Sequence, residues 1–494
     1  MIYFVFFFSL LSAVAMGYLA TAVSYNVVLV LAVAVVAGLV AFFSPKMSLV
    51  LLIFSMLLSP EIGMGAVTGG RSAVLRYDDV LVVIMFLSWL ARSAISKNKP
   101  FITDTPVQTP ILIFTFICIL STAFGVLRGD IRFEAAFFYI LKYVEYFLIY
   151  FMTVNIVESK EEAKKYLQQA LWVALAVTVY AYYFYANGGP GARAGAPFEA
   201  PIGKPQESEP ASLGGYYLVV FGLMLSLMTE GPNIRFFLLT GLFAFMFPAF
   251  LITYSRASYM GLAAIFAVFF ARVKRRRLQM AVFMALAVIT AGFMPGVYKS
   301  VSNIGSEYSM ARQMSKSGMD IDLYEQVKNR ISMTYKGELA TEKLSMMGKN
   351  INLEQSAFLR YASLRNVFTK KLPEHPLLGW GVTGVGLADT QFALVLGETG
   401  LIGFFCFIWM LYRIYATAIS VYKAHADPWV RGLAFGLVLA LTGLVVQSIG
   451  VNTFVIVRIM EPFWFLTAIV MALHRGIPEG GQAVPESAGG AAGK

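Results

Sequence analysis

The sequence is poor in charged residues, in histidine and in cysteine. Only 14% of its 494 residues are Asp, Glu, Lys or Arg, whereas 58% are apolar, which is too little polar surface for a soluble globule of this length. Three histidines and two cysteines, Cys118 and Cys406, occur, and both cysteines lie inside apolar runs. This scarcity argues against an imidazole-based metal site, a zinc site and a disulfide framework.

Long apolar runs are abundant instead, and the mean hydropathy is +0.69. A bilayer-spanning helix needs roughly 20 mostly apolar residues. The runs predict an all-α polytopic membrane protein with about 12–14 transmembrane helices. The predicted spans are 2–23, 26–43, 47–64, 78–95, 108–126, 135–156, 166–186, 213–229, 235–253, 257–272, 279–297, 388–413, 431–449 and 452–473.

A long polar segment interrupts these spans after the eleventh. It divides the chain into an N-terminal bundle (1–297), a large helical loop (298–387), C-terminal helices (388–473) and a disordered tail (474–494). A polar insertion of this length in a compact membrane protein is more often functional than a spacer. We therefore expect a small helical domain over the membrane surface.

The net charge of +11 comes from short basic clusters between apolar runs, a pattern typical of the positive-inside rule and not of nucleic-acid binding. With the predicted spans, the clusters fall on one side, together with both termini and the tail. We expect that side to be cytoplasmic and the loop 298–387 to be periplasmic or extracellular.

Four arginines are predicted on the outer side, at separate places in the sequence: Arg193, Arg256, Arg360 and Arg365. Arg256 lies between two spans that nearly touch, where an arginine either anchors the helix at the headgroups or clamps a phosphate. Arg193 is, on chemistry alone, an ordinary loop residue. If these side chains converge, they form a diphosphate site, because a guanidinium binds two phosphate oxygens at once.

Several other polar residues have two readings. Asp389 opens the helix after the loop, as its N-cap or as a general base. His375 precedes Pro376 in a turn, where a capping role is favoured, and Glu398 is either a buried structural carboxylate or a site residue.

Two pairs of opposite charges are spaced three apart inside predicted spans: Lys142 with Glu145, and Arg458 with Glu461. At helical spacing each pair can share a face and neutralise itself. They predict structural ion pairs, although charges at such depth also line transport pathways.

Three stretches, in this order, resemble one known family. They are Arg193-Ala-Gly-Ala-Pro-Phe with Leu213-Gly-Gly-Tyr-Tyr; Tyr254-Ser-Arg-Ala-Ser-Tyr-Met-Gly; and His375-Pro-Leu-Leu-Gly-Trp-Gly with Asp389-Thr-Gln-Phe and Gly397-Glu-Thr-Gly. Together they are similar to the core of the O-antigen ligase and Wzy-type polysaccharide polymerase family, over about residues 190–410. Aspartate at 389, where ligases place a histidine, resembles the polymerase branch.

The resemblance implies a glycosyltransferase C-like fold in the inner membrane, with a site that faces the periplasm. It implies that glycan is transferred from undecaprenyl diphosphate to an acceptor hydroxyl without metal, nucleotide or other cofactor. Arg193 and Arg256 would hold the diphosphate, Arg360, Arg365 and His375 would add substrate contacts, and Asp389 would be the base. The undecaprenyl-linked glycan would be both donor and acceptor, and a chain-length regulator and a flippase are optional partners.

Polymerisation of repeat units into exopolysaccharide, capsule or O-antigen is thus the expected activity. The nearest alternative is a ligase that moves the glycan to lipid A core or another acceptor. An alternative of another class is a flippase or transporter of lipid-linked oligosaccharide, which the intramembrane charge pairs favour.

Overall fold

The computed structural model describes residues 35–36, 38–40, 42–68, 71–95, 103–188, 192–199, 209–230, 232–273, 276–292, 343–346, 349–352, 364–386, 388 and 390–474. The predicted span 2–23, most of 26–43, the tail and most of the loop 298–387 lie outside these residues. So do the two candidate site residues Arg360 and Asp389.

The described chain is almost entirely helical. Its longer helices are α1 (Pro45–Leu58), α2 (Tyr77–Ile95), α3 (Gln108–Leu127), α4 (Phe133–Ile156), α5 (Lys160–Asn187), α6 (Pro210–Glu230), α7 (Asn233–Leu251), α8 (Arg256–Arg272), α9 (Arg277–Gly292), α10 (Gln391–Ala424), α11 (Pro428–Gln447) and α12 (Val457–His474). Two antiparallel hairpins pair β1 (Glu61–Thr68) with β2 (Arg71–Arg76) and β3 (Lys343–Met346) with β4 (Lys349–Asn352).

Among the described helices, eight are long and apolar enough to cross a membrane, which confirms the all-α polytopic prediction. They are α3, α4, α5, α6, α7, α10, α11 and α12. The predicted span 47–64 is wrong at its end, because α1 stops at Leu58 and the chain becomes a strand at Glu61. Pro60, Gly63 and Gly65 explain the change, since proline and glycine disfavour a continued helix.

The centre of the bundle is the pair α6 and α11. In the most apolar 18 residues of α6, 94% are buried inside the protein, and in those of α11, 78% are buried. Glycines allow this close approach: a Cβ at Gly222 would lie 2.7 Å from the Ala440 backbone nitrogen, and one at Gly436 2.9 Å from the Leu223 Cα. Small residues let helices pack closely in lipid, where the hydrophobic effect does not drive their association.

Helix α10 is broken near its start by Gly400, whose φ of 65° is non-helical. The loop 376–386 docks into the break and satisfies the backbone groups that the helix leaves open. The hydrogen bonds there are Trp380 N to Gly397 O (3.0 Å), Gly381 N to Glu398 O (2.8 Å), Leu401 N to Pro376 O (2.8 Å) and Ile402 N to Leu377 O (3.2 Å). The segment before the helix is thereby fixed to the bundle.

The alternating helices give the bundle two unlike ends. We call basic end the one with the turns 157–159 and 425–427 and with residues 273 and 276. There Lys160 contacts Asp427 at 2.6 Å, and Arg431 contacts Glu230 at 3.4 Å. The opposite end, which we call the site end, has the described segments 59–68, 71–76, 192–199, 252–255, 376–386 and 448–456, together with residues 388 and 390. Both candidate arginine loops lie at the site end.

Candidate functional site

The two arginine loops meet at the site end. Arg193 donates from Nε to the Thr253 carbonyl oxygen at 2.9 Å and from Nη2 to the Tyr254 carbonyl oxygen at 3.1 Å. Those residues come immediately before Ser255 and Arg256, the N-cap and first residue of α8. One guanidinium therefore docks the first arginine loop against the start of the second arginine motif. Part of its donor capacity is used for that docking.

Tyr254 shapes this junction. Its φ of 48° puts the backbone in the left-handed region, where residues other than glycine are uncommon. Burial raises the pKa of the Tyr254 phenol to about 12, helped by its hydrogen bond with the Tyr185 hydroxyl. At neutral pH this phenol therefore stays protonated beside the arginines and can donate a hydrogen bond.

A buried polar seam joins α8 to α11 below Arg256. Gln447 donates from Nε2 to the Ser258 hydroxyl at 2.9 Å, and its Oε1 accepts from Thr453 at 3.2 Å. Ser258 in turn donates to Ser255 at 2.8 Å. A Cβ at Gly214 would lie 2.2 Å from the Ser258 oxygen, so the Leu213-Gly-Gly motif leaves room for this contact.

The start of α10 reaches the same seam. Thr390 is the N-cap, and its hydroxyl accepts from the Ala393 N–H at 3.4 Å. Thr390 thus occupies the N-cap position of α10, whereas Asp389 lies outside the described residues. The Gln391 N–H is also occupied, by the Ser448 carbonyl oxygen at 3.0 Å.

Two polar side chains, Asn452 and Gln391, fix the described residues close to Asp389. Asn452 donates from Nδ2 to the Ala388 carbonyl oxygen. Gln391 is fully buried and accepts the Phe454 N–H at 2.9 Å. The residues on either side of Asp389 are thus fixed to the 448–456 segment, at the end where the arginine loops meet.

The other candidate residues lie in the segment before α10. Arg365 is half-buried in the helical turn that begins this segment. His375 packs edge-on against Trp380, with 4.8 Å between ring centroids, and its carbonyl oxygen accepts the Gly379 N–H at 3.0 Å. These contacts fit the favoured turn role of His375.

Trp380 also carries a cation on its face. The Lys371 ammonium lies 3.5 Å from the ring centroid, and the indole N–H donates to the Lys371 carbonyl oxygen at 2.8 Å. Burial lowers the pKa of Lys371, although Glu374 and Asp130 oppose that shift. Lys371 was not predicted as a site residue from its sequence context; its position shortly before the Gly-Trp-Gly turn is the signal that could have indicated it.

Glu398 has a structural partner. Its carboxylate is 1% exposed and accepts the Thr383 N–H at 2.9 Å, while Ser121 donates to the Glu398 carbonyl oxygen at 2.6 Å. Of its two readings, the contacts support the buried structural carboxylate that pins the 376–386 loop.

A group of charged side chains lies deeper in the bundle, on the site-end side. We call it the ionic cluster: Arg76, Asp78, Asp79, Lys142, Glu145, Arg458 and Glu461. Lys142 and Glu145 lie nine and twelve residues into α4, about 14–18 Å from its first residue at 1.5 Å per residue. The cluster is therefore recessed below the tip of α4.

Arg76 is the central cation of the cluster. Its Nη2 lies 2.9 Å from Asp78, 2.9 Å from Glu461 and 3.6 Å from Glu145. The predicted pair of Lys142 and Glu145 forms, at 3.2 Å, and Lys142 also contacts Asp79. The pairing of Glu461 with Arg76, 385 residues away, could not be read from helical spacing. The charges at the start of the predicted span 78–95 were the available signal.

Arg458 connects the cluster to the first arginine loop. Its guanidinium donates to the carbonyl oxygens of Leu57 (3.0 Å), Ser59 (3.1 Å) and Phe198 (3.0 Å). The first two are at the end of α1, where helix carbonyl groups lack intrahelical partners. Phe198 belongs to the loop that begins with Arg193, so one residue links α1, α12 and that loop.

No protein-family model matches the chain, and no curated protein matches it significantly.

Proposed function

We propose that this protein is a membrane glycosyltransferase of the polysaccharide polymerase type. It would join oligosaccharide repeat units carried on undecaprenyl diphosphate, at the outer face of the cytoplasmic membrane. The observation that carries the proposal is the docking of Arg193 onto the residues just before Arg256. It brings together two arginine loops that are 60 residues apart, at the end away from the basic turns.

The chemistry follows from these groups. The donor's glycosyl C–O bond to the diphosphate breaks, and negative charge grows on the diphosphate as it leaves. Guanidinium groups stabilise that charge, because they are always protonated and hydrogen-bond phosphate oxygens in pairs. Asp389 would take the proton of the acceptor hydroxyl that forms the new bond. Arg360, Arg365 and His375 would contact the glycan or diphosphate from the segment before α10.

The test is elongation of a defined undecaprenyl-diphosphate repeat unit by the purified full-length protein in detergent. Arg256→Ala should lower the rate at least about 100-fold, as expected for the loss of one transition-state donor. Arg256→Lys should recover only part of it, because an ammonium lacks the bidentate geometry. Arg132→Ala is the matched control, since this arginine is at the same end but 69% exposed. Full activity of Arg256→Ala would reject the proposal.

The products separate the polymerase from the ligase alternative. A polymerase yields a ladder of lengthened lipid-linked chains from the repeat unit alone. A ligase leaves that unit unchanged until a second acceptor, such as lipid A core, is added, and then transfers it.

The ionic cluster favours one function of another class, a flippase or transporter, because charges recessed in a helix bundle often line a pathway. Detergent removes the two compartments that transport needs. Elongation in detergent therefore supports transfer, whereas substrate movement in vesicles without elongation supports transport.

A further inference from the structure

The ionic cluster does not balance its own charge. Among its described side chains, four carboxylates face three cations, so full ionisation leaves one negative charge in excess. Two described groups beside it are neutral: the Tyr146 hydroxyl donates to the Phe454 carbonyl oxygen, and the Ser59 hydroxyl accepts the Asp78 N–H. An uncompensated buried charge is unfavourable, so the excess must be neutralised.

Two of the carboxylates lie against each other. Asp79 and Glu145 place carboxylate oxygens within 4.8 Å of one another, and Lys142 contacts both. Two ionised carboxylates this close repel each other, and one bound proton removes both the repulsion and the excess charge. The pair is therefore the place in the cluster where a proton satisfies both geometry and charge.

Other atoms of the cluster show that it is not a closed network. Within the described structure, the buried oxygen Glu461 Oε2 accepts no hydrogen bond, and Arg76 Nη1 donates none. Arg76 is 3% exposed and Glu461 is fully buried. Such groups are rarely left unsatisfied in a static core. They give the cluster spare acceptor capacity when its charge changes.

Exposure is uneven within the cluster. Asp79 and Lys142 are each 12% exposed, whereas Arg76, Asp78 and Glu461 are between 0% and 3% exposed. A metal is a poorer occupant. Asp78, Asp79 and Glu145 could bring oxygens within 4.8 Å of one another, but the cations Arg76 and Lys142 already contact these carboxylates.

We propose that the ionic cluster is a proton-binding site in which Asp79 and Glu145 share one exchangeable proton. Release of that proton to water breaks one O–H bond and leaves two carboxylates against Lys142. Because Arg458 belongs to the cluster and also holds the Phe198 carbonyl oxygen, the change in charge acts on the Arg193 loop. The inference is independent of the proposed glycosyl transfer.

Infrared difference spectroscopy of the full-length protein in lipid nanodiscs tests the site directly. The wild type should show a protonated-carboxyl C=O band at neutral pH that disappears on alkaline titration and shifts in D2O. Asp79→Asn and Glu145→Gln should each remove the band. Glu374→Gln, which changes an exposed carboxylate at the same end, should keep it.

A band that persists in both cluster variants, or its absence from the wild type, would overturn the assignment. Thermal unfolding and gel filtration identify variants that do not fold, and either folded cluster variant is sufficient for the test. Sodium and magnesium chloride are added at fixed pH as the second arm. Loss of the band on addition of either salt, with choline chloride as control, would show a metal-binding site and reject the proton assignment.

Discussion

Three glycines differ in why an alanine would or would not be tolerated, and the difference can be measured. Gly400 has a φ of 65°, and a Cβ there would lie 2.3 Å from the Leu377 carbonyl oxygen. Gly129 also has a positive φ, 79°, but a Cβ there would meet nothing within 4 Å. Gly241 has neither constraint. The three positions therefore separate steric clash from backbone strain.

We predict that Gly400→Ala destabilises the protein by roughly 3 kcal/mol or more, because left-handed strain and overpacking add. Gly129→Ala should lower the free energy of unfolding by only about 1–2 kcal/mol, because it adds backbone strain without a clash. Gly241→Ala, inside α7, should stabilise the protein slightly, by roughly 0.5–1 kcal/mol. Denaturant unfolding in detergent measures all three. Equal losses for Gly400→Ala and Gly129→Ala would show that the loop does not rely on the close approach.

At the scale of elements, the length and periodicity of the apolar runs predicted the helices well. They did not predict where a helix ends or which distant residue a charged side chain contacts. Lys142 and Glu145 pair as helical spacing indicates, because both partners are on one helix. Glu461 pairs with Arg76, at the end of a strand that the prediction had placed in a loop. The span 47–64 was predicted from composition alone, and the turn that ends α1 depends on Pro60 and the glycines that follow it.

The turn between α10 and α11 should make stability depend on pH. The Asp427 N–H donates to His425 Nδ1 at 3.1 Å, which requires an unprotonated imidazole nitrogen. Burial lowers the pKa of His425; Asp427 opposes this shift and Lys160 adds to it. Because the folded pKa is lower than the unfolded value of about 6.5, the stabilisation is present above about pH 6.5 and is lost as pH falls through the folded pKa.

We therefore predict that the wild-type unfolding temperature falls between about pH 7 and pH 5, and that His425→Asn reduces this fall. Ala426→Ser, in the same turn, should retain the wild-type dependence. A pH profile of His425→Asn that matches the wild type would assign the effect to other groups.

At the scale of the whole molecule, the separation of the two ends was predictable and the architecture of the site was not. Basic residues between apolar runs are read directly from the sequence, and alternating helices bring them to one end. The site instead depends on contacts between distant residues, such as Arg193 with Thr253 and Asn452 with Ala388. No periodicity encodes such contacts, so residue types could suggest the arginines but not their docking.

The orientation of these ends in the membrane is the last prediction. If the basic end is cytoplasmic, as the positive-inside rule indicates, Glu374→Cys at the site end should react with a membrane-impermeant maleimide in intact cells. Ala426→Cys at the basic end should react only after permeabilisation. Both positions are exposed, whereas the native Cys118 is buried and Cys406 is partly buried, so wild-type labelling gives the background. The reverse pattern would place the arginine loops in the cytosol, away from any glycan assembled outside.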